Sequence, residues 1–506
     1  MLFVILLFSK AVAGDVCSNG SLKDFTAEFA VLKSESGIPI RDKVNSMTIG
    51  PRGPMLLQDF VYIEEIAHFN RERIPDRVVH GKGNGAFGYF EVTDDITRYT
   101  RAKLFNRLGK RTSIAVRFSI ANAEVGSPDA VRDIRGMSVK FYTEEGNWDL
   151  LGLSVPIFPV RDPLLFPSVS RVLGADPVSH LRQISEAFWD FLTLRPEVTG
   201  AAVLLLSDRG IPQSYRNMDA FAVNTFKMVN ATGNAVFCKF SWLTDQGTRY
   251  LIPSRARQVS GTDLDSHGRD LFQAIEEENY PSWTLYIQVM TMEQAKQVDF
   301  NPFDATKEWS RDAFPFIRAG KIVLNRNPKN HFAEVEQLAM SPANLIPGIE
   351  PSPDKVLQGR LFSYPDTQRY RLGANYNQIP VNCPIKSIPN NYERNGFMTL
   401  TRKKGTPNYY PNSFKGPVQD PTALESAFDV CGIVARHDSS EEDNFSQARI
   451  YYNQMEEDEK ERLVQNMVSP LQRVSKCLQD RAVDALLNVD PDLGQRIIEG
   501  LNKTET

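Results

Sequence analysis

Between about residues 86 and 300 the chain alternates apolar and polar positions with a period of two. Ile114, Val116, Phe118 and Ile120 fall on one side of a strand, with Ala115, Arg117 and Ser119 on the other. Val236, Cys238, Phe240 and Trp242 repeat the pattern, as do Trp283, Leu285, Ile287 and Val289. Turn-forming stretches such as Ala231-Thr-Gly-Asn234 separate these runs. Strands with one polar side predict an antiparallel sheet or barrel rather than a buried parallel sheet. From 301 to 436 regular runs are few and Pro, Asn and Tyr are frequent, which predicts a long segment wrapped around an existing core. Within it, Ser352-Pro353-Asp354 predicts a helix start with Ser352 as cap and Pro353 in the first helical position. In the tail, Leu463, Met467, Leu471, Val474 and Leu478 step by three or four and form a helical stripe, which Ser469-Pro470 is expected to divide into two helices.

Charge and the chain ends narrow the function classes. The 506 residues carry 58 Lys and Arg against 62 Asp and Glu, a net charge of −4. That balance lacks the positive excess on which general nucleic-acid binding runs, so no nucleic-acid partner is expected. No apolar run reaches the length of a membrane span, so no membrane partner is expected either. Leu2–Phe8 is a short apolar run, followed by Ala11-Val12-Ala13, and the pair predicts a secretory signal peptide over 1–13. Sequons at Asn19, Asn230, Asn444 and Asn502 agree with export, and Lys503-Thr-Glu-Thr506 is no peroxisomal address, so a secreted, extracellular protein is expected. The five cysteines, at 17, 238, 383, 431 and 477, have no zinc-ligand spacing, and their odd number leaves at least one without a partner in the chain, so no disulfide framework is indicated.

Few residues offer chemistry. The six histidines form no HExxH or similar pair. Gly83-Asn-Gly-Ala-Phe-Gly88 satisfies the dinucleotide fingerprint but leads into the strand-like Tyr89–Thr93, so its glycines are expected to serve close backbone packing. His80 follows the Val78-Val79 pair just before that strand, where a histidine is either structural or catalytic. Arg360 and Tyr364 are four apart and share a helix face. A guanidinium beside a phenol favours the phenolate, a hard anionic ligand for ferric iron; the alternative is a surface cation–π pair.

Longer stretches carry a resemblance. Gly85-Ala-Phe-Gly-Tyr-Phe-Glu-Val-Thr93, Gly146-Asn-Trp-Asp-Leu150, Ser282-Trp-Thr284 through Gln288-Val-Met290, Val323-Leu-Asn-Arg-Asn-Pro328, Phe332-Ala-Glu-Val-Glu-Gln337 and Pro407-Asn-Tyr-Tyr-Pro-Asn-Ser-Phe414 are near-verbatim matches. In them the chain resembles the monofunctional haem catalases, specifically the small-subunit animal-type branch, over about residues 25–500. The resemblance implies an α+β fold: an N-terminal arm (14–75), an eight-stranded antiparallel β-barrel haem domain (76–320), a wrapping segment (321–436) and a C-terminal helical domain (437–506). It implies haem b as cofactor, hydrogen peroxide as substrate, a homotetramer, and disproportionation to water and oxygen through a ferryl porphyrin radical. Residue by residue, Tyr364 matches the proximal iron ligand and Arg360 the arginine that keeps it anionic. His80 matches the distal acid–base histidine and Ser119 the serine that orients it. Arg77, Arg117 and Arg371 match the propionate-pairing arginines; Val79, Phe158 and Phe166 match the apolar distal wall, and Asp133 the acid of the peroxide channel.

The departures matter as much. Leu153 stands where the family has an asparagine that hydrogen-bonds peroxide, and Asn147 aligns with a different asparagine. Asn224 replaces a histidine beside the ligand arginine while its acidic partner is kept as Asp354; Met340 replaces a phenylalanine and Gln368 a histidine. In the NADPH site, Ser207, Arg209 and Trp309 are kept, but Gly200 and Arg311 replace histidines, Leu243 a lysine and Asp219 an asparagine, so weak or absent NADPH binding is expected. The expectation is a catalase of lowered activity; the alternative is a catalytically impaired haem-binding or structural protein.

Overall fold

The computed structural model describes residues 31–182, 186–400, 405, 407–421, 423, 425–428 and 432–503. The expected signal peptide, the Asn19 sequon, Cys17 and Cys431 lie outside these residues. The described chain forms two compact units, one ending at Pro75 and one beginning at Asp76. The first holds two short bridges, Lys33 with Pro39 and Thr48 with Met55, and a helix, Phe60–Phe69. The Asp59 side chain caps that helix by accepting from the Tyr62 N–H, and none of its ten residues is buried.

The second unit is built on ten antiparallel strands: β1 Gly83–Val92, β2 Arg111–Ile120, β3 Arg135–Thr143, β4 Gly146–Leu153, β5 Ala220–Phe221, β6 Phe226–Val229, β7 Ala235–Thr244, β8 Ser282–Thr291, β9 Ile317–Arg326 and β10 Ile349–Pro351. Eight of them close in the order β1–β2–β3–β4–β5–β7–β8–β9 and back to β1, while β6 and β10 extend from β7. This is the expected closed eight-stranded barrel, with two added strands.

The alternating apolar positions of β2, β7 and β8 fill one core. Phe90, Phe118, Trp148, Trp242 and Trp283 are wholly buried there, and Phe141 stacks on Trp148 with ring centres 4.7 Å apart. The other face of β2 is not open to solvent: Ala115, Arg117 and Ser119 are buried too. The glycines of β1 serve close packing as expected. A Cβ on Gly88 would lie 1.9 Å from the Val323 carbonyl oxygen, and one on Gly85 would lie 2.7 Å from Val335.

Three details differ from the pattern-based expectation. β9 lies in the segment that looked irregular, and the expected barrel end at 320 falls inside this strand. The same segment holds an eighteen-residue helix, Lys355–Leu372, whose cap is Asp354 rather than Ser352. Asp354 accepts from the Leu357 N–H at 3.0 Å, while the Ser352 hydroxyl is taken up by the Thr225 carbonyl. In the tail, Pro470 falls within the last turn of the helix Glu457–Leu471, and the next begins at Lys476. The stripe itself is buried as expected, packing with the helix Thr199–Leu206 in a second core.

Candidate active site

One cavity of about 300 Å³ collects the chemistry. Its lining includes His80, Ser119 and Arg117 together with Val79, Phe158 and Phe166, and Arg360 and Tyr364 complete it. Val356, Gly359, Arg360, Ser363, Tyr364, Thr367 and Gln368 contribute from the helix Lys355–Leu372, and this spacing of three and four is one helix face. Of the sequence-predicted site residues, Arg371 and Asp133 stand outside the lining; Arg371 reaches the same region through Glu336.

His80 is held by backbone and side chain together. It lies in the left-handed region at φ 62°, a conformation that costs a non-glycine residue about 1–3 kcal/mol. Its N–H donates to the Ala121 carbonyl at 2.7 Å, and its own carbonyl accepts from Arg117 Nη1 at 2.9 Å. Arg117 Nη2 also donates to the Gly81 carbonyl at 3.0 Å, so one guanidinium clamps the strained turn. The imidazole Nδ1 meets Ser119 Oγ at 2.9 Å. Burial, with the guanidiniums of Arg117, Arg360 and Arg77, pushes the imidazole down to about 3, so it is neutral near pH 7. Gly136, opposite Ser119 on β3, leaves room for this pair. A Cβ there would lie 2.7 Å from Ser119 Oγ and 2.9 Å from His80 Nδ1.

The other part of the cavity is built from an unbroken hydrogen-bond chain. Arg360 Nη2 donates to Tyr364 Oη at 3.0 Å, and Arg360 Nη1 donates to Asn224 Oδ1. Asn224 Nδ2 donates to Asp354 Oδ2 at 2.9 Å, and the same carboxylate caps the helix that carries Tyr364. The Arg360–Tyr364 contact is thus part of a relay that runs from a half-buried pair to the buried Asn224 and Asp354, and the guanidinium also lies over the Tyr364 ring, 4.9 Å from its centre, so the cation–π contact is present as well.

Comparison with known proteins agrees with this geometry. A family model described as Catalase matches residues 33–416, and one described as Catalase-related immune-responsive matches 438–501. The chain belongs to the catalase family. It is 54% identical over 475 residues to a catalase of Glandirana rugosa and to one of Danio rerio, covering in each case 94% of this chain and 90% of the relative. The crystal structure of a fungal catalase superposes with a TM-score of 0.90 at 40% identity, covering 93% of this chain and 96% of that one.

Catalase membership implies a haem cofactor, and the cavity fits one. Its walls carry a large apolar surface, including Val79, Phe158, Phe166 and Met340, suited to a flat macrocycle. One edge is cationic: Arg77 and Arg371 share the Glu336 carboxylate, at 3.2 and 2.8 Å, while Arg117 bonds to backbone carbonyls and its buried Nε has no partner. Burial and mutual repulsion hold Arg77 well below the ordinary arginine range, and burial pushes Arg117 down to about 10. Such a cluster calls for added negative charge, which two carboxylate side arms supply. Glu336 escaped the sequence reading, although it lies within one of the matching stretches.

The positions at which this catalase departs from its family are also placed. Leu153 lines the cavity from the end of β4, paired with Gly136 on one side and Phe221 on the other. Asn147 is elsewhere and donates to the Asn382 carbonyl. Asp133 does not line the cavity; its carboxylate accepts from Asn122 and from the Ile134 N–H, and burial pushes it up. At the NADPH-related positions, Arg311 stacks over Phe316 and Asp219 accepts from the Thr244 N–H. A Cβ on Gly200 would already touch Ile157 at 3.0 Å.

Proposed function

We propose that the chain is a haem b catalase that disproportionates hydrogen peroxide to water and oxygen, with a turnover lowered by Leu153. The observation that carries this reading is the joint lining of one cavity by His80 with Ser119 and by Tyr364 with Arg360. Tyr364 Oη would hold the iron, Arg77, Arg117 and Arg371 would take the propionates, and Val79, Phe158 and Phe166 would pack on the distal side. When bound, haem supplies the redox-active iron at which the peroxide O–O bond is cleaved.

The protein's own work is proton handling and positioning. In the tautomer with Nδ1–H donated to Ser119 Oγ, His80 Nε2 carries a free lone pair. It accepts a proton from one peroxide oxygen and returns it to the other, so that water leaves. A second peroxide gives up two electrons and two protons as dioxygen, which balances two peroxides against two waters and one oxygen. Burial and the nearby guanidiniums keep His80 neutral near pH 7, so its lone pair is available for the first transfer.

Leu153 also favours a second reading, a haem-binding catalase relative with little turnover, because leucine has no donor to offer peroxide. Oxygen evolution by haem-loaded protein decides between them. Steady evolution that disappears in His80→Ala supports the enzyme, and silence supports the impaired form. A Soret band lost or shifted in Tyr364→Phe tests haem ligation separately; no Soret band in loaded native protein overturns both readings.

NADPH binding is weak or absent in this reading, supported by Leu243 in place of a lysine and by the packed Gly200. A homotetramer is supported by the exposed apolar residues Phe60, Ile63 and Phe69 of the arm helix, and light scattering tests it. Export is supported by the Leu2–Phe8 run and the sequons; a mature N-terminus at Met1 would overturn it.

A further inference from the structure

A second, much smaller cavity lies among the helices Phe166–Leu173, Glu186–Leu194 and Thr199–Leu206. It offers about 30 Å³ to the centres of water-sized molecules, where one such molecule needs roughly 10–15 Å³. Among the described residues that line it, including Ile134, Val169, Phe188, Phe191, Val198 and Ala202, none has a polar side chain. Water in a buried site needs two to four polar partners, and hydrogen peroxide needs at least as many, so both are disfavoured here. A small apolar molecule loses no hydrogen bond on entering, and the space suits a diatomic.

A cluster of apolar side chains borders both cavities. Val160, Val169 and Val198 form one cluster, with Phe158, Leu165, Leu173 and Phe191 packed against it. Phe158 lines the reaction cavity, whereas Val169, Val198 and Phe191 line the small one. The helix Phe166–Leu173 spans the same interval. Phe166 at its start faces the reaction cavity and Val172 the small one, six residues or about 9 Å along the axis.

We infer that this small cavity is a dioxygen-holding site, taking the apolar product out of the reaction cavity through the Phe158–Val169 cluster while peroxide and water stay behind. The inference rests on the reading that the neighbouring site generates dioxygen. Partition by polarity gives the product a route that does not compete with the entering substrate.

Crystals of the haem-loaded protein pressurised with xenon, and separately with dioxygen, test it. Density for both gases is expected in the cavity of the native protein. Xenon occupancy should fall several-fold in Val198→Ile and vanish in Ala202→Phe; the isoleucine variant keeps the test open should the phenylalanine variant not fold. Ordered water in the cavity, or no gas density, overturns the inference even if the protein evolves oxygen. Gas density in a protein that evolves none overturns the product role and the reading of the active site together.

Discussion

The amide of Asn224 joins two charged groups: its Nδ2 donates to Asp354 Oδ2 at 2.9 Å, and its Oδ1 accepts from Arg360 Nη1. Burial pushes the Asp354 carboxyl up, opposed by hydrogen bonds from the Leu357 N–H, Asn224 and the Thr225 N–H. Asn224→Leu removes one donor from the carboxylate and the acceptor from the guanidinium. Each buried group left short of a partner costs about 1–3 kcal/mol. The variant is expected to unfold at lower denaturant concentration and, when haem-loaded, to show a displaced Soret band. Asn224→His, which keeps a donor and an acceptor, should lose less. An unchanged midpoint and spectrum in the leucine variant would show that the relay does not couple Asp354 to Tyr364.

The acid range follows from His80. Its folded-state value of about 3 lies far below the 6.5 of a free imidazole. Oxygen evolution is therefore expected to stay level from about pH 8 to about pH 5, with His80 protonation limiting only near about pH 3. Stability has its own sign. Above about 6.5 the residue is neutral in both states and contributes no pH dependence. Below that value the unfolded chain takes up a proton that the folded chain refuses, so stability falls by about 1.4 kcal/mol per pH unit until the folded value is reached. His267, also buried and held well below the usual histidine range, adds a loss of the same sign. Denaturant titrations at about pH 7 and pH 5 check this, and an activity midpoint near 6.5 would contradict it.

The sequence made some of this visible and hid the rest for physical reasons. The apolar side of β2 was legible because Ile114, Val116 and Phe118 fill the barrel. The burial of Arg117 and Ser119 was not, because a polar strand face reads the same whether it meets water or a reaction cavity. β9 was missed because its buried apolar positions run 319, then 322 and 324, slipping phase next to the register shift against β8. The Asp354 relay joins residues about 130 apart in sequence, which no local pattern can announce. Tyr364 and Arg360, four apart on one helix, were legible for the opposite reason. The resemblance located the remaining site residues, but it left the space around them unspecified.

Gly136 shows what that space is worth. Its Cβ position lies within 3.0 Å of Ser119 Oγ and of two imidazole atoms of His80. Both neighbours are themselves held, His80 by its clamped backbone and Ser119 by its buried strand. Gly136→Ala therefore displaces the imidazole from Ser119 rather than being absorbed by a flexible side chain. The expected outcome is a loss of kcat of about 10-fold or more, as a displaced general base gives up part of its roughly 10²–10⁴-fold contribution. The Soret band should be retained, because Tyr364 and Arg360 lie in other elements. Unaltered kcat in a haem-replete variant would mean that the His80–Ser119 contact does not set the position of the base.

Leu153 gives the sharpest test, because the expected change is a gain. It is paired with Gly136, whose Cβ position touches the His80 ring, so a side chain at 153 enters the cavity on the His80 side. Leucine there excludes water and packs, but it cannot donate to an oxygen on which charge develops. Leu153→Asn supplies an amide donor from the same strand position. A single donor of this kind is worth roughly 10²–10³-fold in other active sites, so kcat for oxygen evolution is expected to rise by about 10²-fold. Leu153→Ala makes room without a donor and should leave kcat within a few-fold of native. The comparison separates hydrogen bonding from access. If alanine raises turnover as much as asparagine does, Leu153 limits the enzyme by obstruction; if neither raises it, the limiting step lies away from the His80 side of the cavity.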